Sequence, residues 1–368
     1  MWPIISATCF TMTILRIKKM SKRIFYLILL AFSLFIYACK KETNIQEAVS
    51  TFLGFQKPSN FPEPVYKLEN NKLTEAGFLL GRALFYEPRL SRDNTISCGS
   101  CHIQTSGFTQ HGHDVSHGID DRLGSRNSPP IMNLAWNKTF MWDGGVFDLD
   151  LQPISPITNP VEMDEKVENV LLKLKQMPKY VTLFNRAFGT DEITNARMMK
   201  ALSQFMVMCV SANSKYDQVM RKENGQTFTT DEQAGYTIFK EKCSNCHSEP
   251  LFTDGAFRNN GLAIGPNNDQ GRAMATLNPR DDYKFKVPSL RNLSYTAPYM
   301  HDGRFLTLSG VLAHYAEEVQ ATPNLDPLLQ QNGKLGISLT ADDKLKLLTF
   351  LKTLDDKDFV TRKDLAEQ

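Results

Sequence analysis

The run Cys98-Gly99-Ser100-Cys101-His102 recurs later in the chain as Cys243-Ser244-Asn245-Cys246-His247. Each is C-x-x-C-H, the spacing at which a c-type haem is attached. Two thiols on one short turn can add across both vinyl groups of a porphyrin. The adjacent imidazole then lies under the ring, where it can ligate the iron. A structural zinc site would want all four cysteines in one tetrahedron, and a thioredoxin-like pair would want a strand–helix context that neither copy shows. Two copies, each followed at once by His, predict two covalent haems, one on Cys98, Cys101 and His102, the other on Cys243, Cys246 and His247.

Working outward from these runs, the chain repeats itself. Pro129–Gly144 aligns without gaps to Pro288–Gly303, pairing Asn133 with Asn292, Leu134 with Leu293, Met141 with Met300, Asp143 with Asp302 and Gly144 with Gly303. Ala76-Gly77-Phe78 before the first run pairs with Ala234-Gly235-Tyr236 before the second, and Phe108-Thr109 pairs with Phe252-Thr253. Duplication makes the differences informative. Trp142 faces His301 in the alignment, and Pro156 faces Tyr315. The first half therefore lacks an obvious second iron ligand that the second half offers. One haem is expected to be open to a small molecule and the other closed for electron storage, an asymmetry that points to an enzyme.

The 368 residues carry a formal net charge of +2, but residues 1–38 hold five basic residues and no acidic one. Without them the chain is slightly acidic, and no basic tract points to nucleic acid. Lys22-Arg23 followed by the apolar run Ile24–Ala38 reads as an export signal, too short for a membrane span. Ile36-Tyr37-Ala38-Cys39 resembles the lipobox of bacterial lipoproteins, so Cys39 is expected to carry lipid and anchor the chain to a membrane. Met20 is the better start, which would remove Cys9. Of seven cysteines, only Cys209 then remains, in an apolar helical stretch where it reads as a small buried hydrophobe.

The expected organisation is a signal segment over 1–39, a tether over 40–65, one haem domain over 66–220 and a second over 221–368. Thr74 is expected to cap a helix ending before Pro88. Helical periodicity runs from Val167 to Leu183 and from Met198 to Val210. Thr230 with Gln233 reads as a capping box opening a helix through Phe239, and Thr340 with Asp343 caps another carrying Leu345, Leu348, Leu351 and Leu354. No strand pattern stands out. The class is mainly α: two c-type cytochrome domains, duplicated haem modules, with little strand.

With these motifs in order, residues 70–355 resemble the bacterial dihaem cytochrome c peroxidases. The matching stretches are the two haem runs, Arg126-Asn127, Trp142-Asp143-Gly144, Gln152, Val161-Glu162-Met163, Val287–Asn292 and Thr296–Gly303. The resemblance implies a periplasmic enzyme reducing hydrogen peroxide to water, with electrons from a small protein donor, a cytochrome c or a cupredoxin, and it admits a homodimer. It implies that the first haem is peroxidatic, with Glu162 as its acid–base group, Gln152 as a hydrogen bond to bound peroxide and Trp142 as the aromatic bridge between haems. It also implies one calcium ion held by the Asn127 side chain and the carbonyls of Thr296 and Pro298.

Two departures stand out. Where peroxidases place a methionine ligand to the second haem, this chain has Tyr315, as in the dihaem oxidases that mature the tryptophan-derived quinone of methylamine dehydrogenase. Met300 and His314 are rival ligands, and His301 is a candidate partner for a haem propionate. Where many peroxidases have a distal histidine blocking the first haem, this chain has Ile119, with His117 the nearest substitute and His111 and His113 farther off. The alternatives to a peroxidase are a dihaem oxidase of a protein or organic substrate and a non-enzymatic dihaem electron carrier, which would leave Glu162 and Gln152 without roles.

Overall fold

The computed structural model describes residues 54–331 and 333–368; the leader, Cys9, the lipobox with Cys39 and residues 40–53 lie outside them. In chain order its helices are α1 (Glu75–Phe85), α2 (Cys98–Cys101), α3 (Ile154–Thr158), α4 (Val167–Lys175), α5 (Pro178–Phe188) and α6 (Asn195–Met208). They continue with α7 (Lys215–Met220), α8 (Thr230–Lys242), α9 (Ala273–Thr276), α10 (Leu308–Ala313), α11 (Ala341–Leu351) and α12 (Lys357–Thr361). Four two-residue strands complete it: β1 (Phe257–Arg258) pairs antiparallel with β2 (Phe285–Lys286), and β3 (Gln330–Gln331) with β4 (Lys334–Leu335). The class is mainly α, as expected. Among the described residues no helix is long and apolar enough to cross a membrane.

Local chemistry sets most helix ends. The Thr74 hydroxyl accepts from Gly77 N–H to open α1, and Thr340 and Asp343 form a capping box on α11. The box on α8 is one residue earlier than the sequence reading: Thr229 and Glu232 make it, not Thr230 and Gln233. Both spacings fit the motif, but Glu232 is also tied to Lys215, which pins it in the box position. The stretch from Val167 to Leu183 is two helices rather than one. Pro178 has no N–H to continue α4, and it starts α5 as its first residue.

Two helix crossings organise the core, α1 on α6 and α8 on α11. In the first, Phe85, Phe108 and Phe205 form a triad with ring centroids 4.8 to 6.2 Å apart; in the second, Phe239, Phe252 and Phe350 repeat it at 5.2 to 6.3 Å. At the crossings Gly81 lies against the Ala201 carbonyl and Phe205, and Gly235 against the Lys346 carbonyl and Phe350. Gly235 therefore corresponds to Gly81. The sequence match of Ala76-Gly77-Phe78 to Ala234-Gly235-Tyr236 is a slip of one helical turn.

Elsewhere the repeat holds in detail. Asn133 and Asn292, Met141 and Met300, and Gly144 and Gly303 all have positive φ. The bridge Phe140–Val146 recurs as Tyr299–Phe305. Asn133 N–H donates to the Cys209 carbonyl and Asn292 N–H to that of Leu354. Cys209 itself is fully buried in the α6 core, as read.

The end of the segment read as a tether is packed. Phe61 is 3% exposed, edge-on to Trp136 and under the Arg291 guanidinium. Arg291 and Asp217 form a fully buried bidentate pair at 2.7 and 2.8 Å, and Arg291 also donates to the Pro250 carbonyl. That arrangement holds the chain just beyond the second C-x-x-C-H run.

Candidate active site

The two C-x-x-C-H runs adopt matching geometry. Cys98–Cys101 makes the single turn α2, and in the second run Cys243 and Cys246 are the ends of a turn closed by the bond from His247 N–H to the Cys243 carbonyl. Cys98, Cys101, Cys243 and Cys246 are all free thiols. His102 Nδ1 lies 2.8 Å from the Phe108 carbonyl, and His247 Nδ1 lies 3.2 Å from the carbonyls of Phe252 and Pro288. A carbonyl acceptor fixes the proton on Nδ1 and leaves the Nε2 lone pair for a metal. Burial lowers both imidazole pKa values, which keeps that lone pair available. Two thiols and one preset imidazole in each run fit a covalent haem.

Beside the first run is a cavity of about 710 Å³. Its lining includes Cys101, His102, Gln152, Pro156, Asn159 and Glu162, and it extends past Trp142 to Lys286 and Pro288. The segment after α3 turns back over this cavity through Asn159, whose carboxamide donates to Glu162 Oε1 at 2.6 Å. The Glu162 carboxyl is close enough to Cys98 and Cys101 to act on them electrostatically. Burial raises its pKa, and the Asn159 hydrogen bond partly offsets that. A half-buried carboxyl held in this way is suited to taking and returning a proton. Glu162, Gln152 and the first run thus face one space.

Trp142 is 9% exposed and donates from Nε1 to the Asn127 carbonyl at 2.8 Å. Its own carbonyl accepts from Lys286 N–H. It stands in the same cavity wall as His102 and Pro288, and the Pro288 carbonyl faces His247.

Among the described residues His102 is the only histidine in that wall. His117 Nδ1 is 2.5 Å from Asp121, its ring leans on His113, and it is partly solvent-exposed. Ile119 is fully buried, its N–H bonded to the Glu162 carbonyl. The loop carrying His111, His113 and His117 thus contributes Ser116 to the wall and no imidazole.

On the other side, Tyr315 lies in a π-helical turn, His314–Glu318, directly after α10. Such turns carry one extra residue and recur at functional sites. The Tyr315 hydroxyl is near Cys243 and Cys246 and beside the Asn260 side chain; burial pushes its pKa up to about 12. His314 is buried and Met300 half-buried. His301 stacks on Phe285 with ring centroids 3.7 Å apart, and burial pushes its pKa down to about 4.

Asn127 Nδ2 donates to the carbonyls of Pro298 at 2.7 Å and Met300 at 3.3 Å, while its Oδ1 is buried without a partner. An orphaned amide oxygen beside carbonyls suits an oxygen-ligated cation such as calcium. Among the described residues no cluster of three or more His, Cys, Asp or Glu could hold a metal ion, so a cation here would rely on neutral oxygens.

Sequence reasoning missed several residues. Lys286 projects into the cavity, donates to the Thr139 carbonyl and has its pKa pushed down to about 8 by burial. Its alignment with Asn127 in the repeat could have drawn notice. Arg126 is clamped between Asp269 and Asp143 at the cavity edge. Asn159 and Asn260 carry no local signal.

Residues 75–225 match the family described as di-haem cytochrome c peroxidase. The methylamine utilization protein MauG of Methylorubrum extorquens is 34% identical over 85% of this chain and 86% of its own. The cytochrome c551 peroxidase of Nitrosomonas europaea is 34% identical over 76% and 80%. Among solved structures, a MauG-like protein associated with microbial copper homeostasis is 31% identical, with a TM-score of 0.77 over 85% of this chain and 98% of that one. The diheme peroxidase BthA of Burkholderia thailandensis shares the fold at 20% identity, with a TM-score of 0.69 over 81% and 91%.

Proposed function

We propose that this chain, which belongs to the di-haem cytochrome c peroxidase family, reduces hydrogen peroxide to water in the periplasm with electrons from a small redox protein, a cytochrome c or a cupredoxin. A dihaem family implies two c-type haems. In this reading Cys98 and Cys101 hold the peroxidatic haem, with His102 Nε2 toward the iron, and Cys243, Cys246 and His247 hold the electron-entry haem. The two modules divide near residue 220, Asn127 with the carbonyls of Thr296 and Pro298 holds calcium, and lipid on Cys39 tethers the enzyme to a membrane.

The observation that carries the reading is the Glu162 carboxyl, half-buried and facing the first C-x-x-C-H run across a cavity that no histidine but His102 enters among the described residues. When bound, the haem supplies an iron that can take peroxide and the electrons to cleave it. Reduction consumes two electrons and two protons and yields two waters. Glu162 accepts the proton of the near peroxide oxygen and returns it to the far one, which leaves as water. Gln152 holds the peroxide by hydrogen bonding, and Asn159 fixes the carboxyl in place. Trp142, in the wall of the same cavity, offers an aromatic path for electrons.

The test is steady-state peroxide consumption by the diferric and half-reduced protein supplied with reduced cytochrome c. Rapid turnover in the diferric protein that collapses in Glu162→Gln supports a peroxidase open without prior reduction. Negligible turnover with a long-lived oxidised species supports a second reading. Tyr315, set beside Cys243 and Cys246, favours that reading: a dihaem oxidase acting on a protein or organic substrate.

A further inference from the structure

The geometry points to Asn260 as the positioning residue that assigns the distal place of the second haem to Tyr315, by occupying both rival donors, Met300 and His314. This rests on reading Tyr315 as that ligand. Asn260 has no motif of its own, but two of its atoms meet the two rivals. Its carbonyl lies 3.0 Å from His314 Nε2 and its Nδ2 lies 3.5 Å from Met300 Sδ, while its carboxamide lies beside the Tyr315 hydroxyl.

Each contact changes what the candidate can offer. A His314 Nε2 that donates to a carbonyl carries its proton and has no lone pair there for iron. The Met300 sulfur, a weak acceptor, is drawn toward the Asn260 amide on a residue already fixed at a positive φ of 75°. A phenol differs, because an oxygen beside an amide keeps a lone pair for iron whether or not the amide donates to it.

Asn260 is held rigidly enough to do this. Before it, Asn259 is 2% exposed, bonds Thr322 and the Pro323 carbonyl, and accepts from Asp326 N–H through its own carbonyl. After it, Gly261 sits at a φ of 70° against Val319 and Leu325, where a side chain would clash, and its carbonyl accepts from Gln320 N–H. Tyr315 is pinned on the other side, its carbonyl accepting from Ile337 N–H at 2.7 Å. Both partners thus approach on fixed backbones, the arrangement that ligand selection requires.

The experiment compares the haem-loaded full-length protein with Asn260→Ala, Asn260→Ala/Met300→Leu and Tyr315→Phe. It reads the ferric electron paramagnetic resonance spectrum, the sulfur-to-iron charge-transfer band and the reduction potential of the second haem. Asn260→Ala is expected to bring up the charge-transfer band and raise the potential, since a thioether favours ferrous iron more than a phenolate does. The added Met300→Leu should abolish the band. A wild-type spectrum and potential in Asn260→Ala overturns the inference. If that variant does not fold, Asn260→Asp keeps the carbonyl hold on His314 but cannot donate to sulfur, and an absent band there overturns it equally. Tyr315→Phe separates the two ideas. Unchanged spectra in that variant sink the tyrosine ligand itself, whereas altered spectra beside an unaffected Asn260→Ala sink only the role of Asn260.

Discussion

Gly81 and Gly235 occupy the same place in two copies of one helix crossing. Each lies on the carbonyl of the partner helix, Ala201 in one case and Lys346 in the other, four residues before the Phe205 or Phe350 that closes the aromatic triad. The absence of a side chain lets α1 approach α6, and α8 approach α11, closely enough for those rings to meet. Both triads also include the phenylalanine whose carbonyl orients a histidine, Phe108 for His102 and Phe252 for His247.

Adding one methyl at either glycine should therefore separate a helix pair. A Cβ on Gly81 or Gly235 would overlap the facing carbonyl oxygen, which is backbone and can only move with its helix. Gly81→Ala and Gly235→Ala are each expected to lose about 1–3 kcal/mol. Denaturant titration of the two variants would check this, and two transitions unchanged from wild type would contradict the crossing.

Glu162 should set the acidic limb of the pH–rate profile. As a proton acceptor it works ionised, so activity falls as pH drops through its pKa, which burial holds above the ordinary value and the Asn159 bond partly restores. Asn159→Ala removes that bond, so the limb should move to higher pH. Glu162→Gln should lose on the order of 10²–10⁴ in rate on the plateau above that limb, and the limb itself should disappear. A limb that stays in place in Asn159→Ala would assign it to another group.

The Arg291–Asp217 pair should govern part of the acid stability. Burial alone would raise the Asp217 pKa, but the Arg291 guanidinium overrides it and holds the carboxyl below 3.8. A depressed folded pKa stabilises fully above the unfolded value and loses that contribution as pH falls through the folded one. The increment should be intact above about pH 4 and fade below it. Asp217→Ala leaves a buried guanidinium unpaired and is expected to cost about 3–5 kcal/mol at neutral pH. Urea unfolding of wild type and variant across pH 2–7 would show whether their difference shrinks at the acid end.

Calcium should stabilise the protein through Asn127. A cation among the nearby carbonyls would give its unpartnered Oδ1 a partner. At free calcium about 100 times its dissociation constant, the gain is about 2.7 kcal/mol. Thermal melts with calcium and with chelator should differ for wild type and coincide for Asn127→Leu. Equal melts for wild type would remove calcium from this site.

Much of this protein follows from short-range chemistry that its sequence states outright. C-x-x-C-H needs only five consecutive residues to preset two thiols and an imidazole, and both runs adopt that turn. Thr74 and Thr340 cap their helices from three residues away, and the gapless repeat from Pro129 to Gly144 carries its positive-φ positions with it. Relationships between distant segments were decided only by packing. The sequence pairs Gly235 with Gly77, and only the approach of α6 and α11 singles out Gly81 instead. The sequence likewise offers Met300 and His314 as rivals to Tyr315. What separates them is Asn260, some 40 to 55 residues away in the chain, because a hydrogen bond depends on where the folded backbone puts its two atoms rather than on where they stand in sequence.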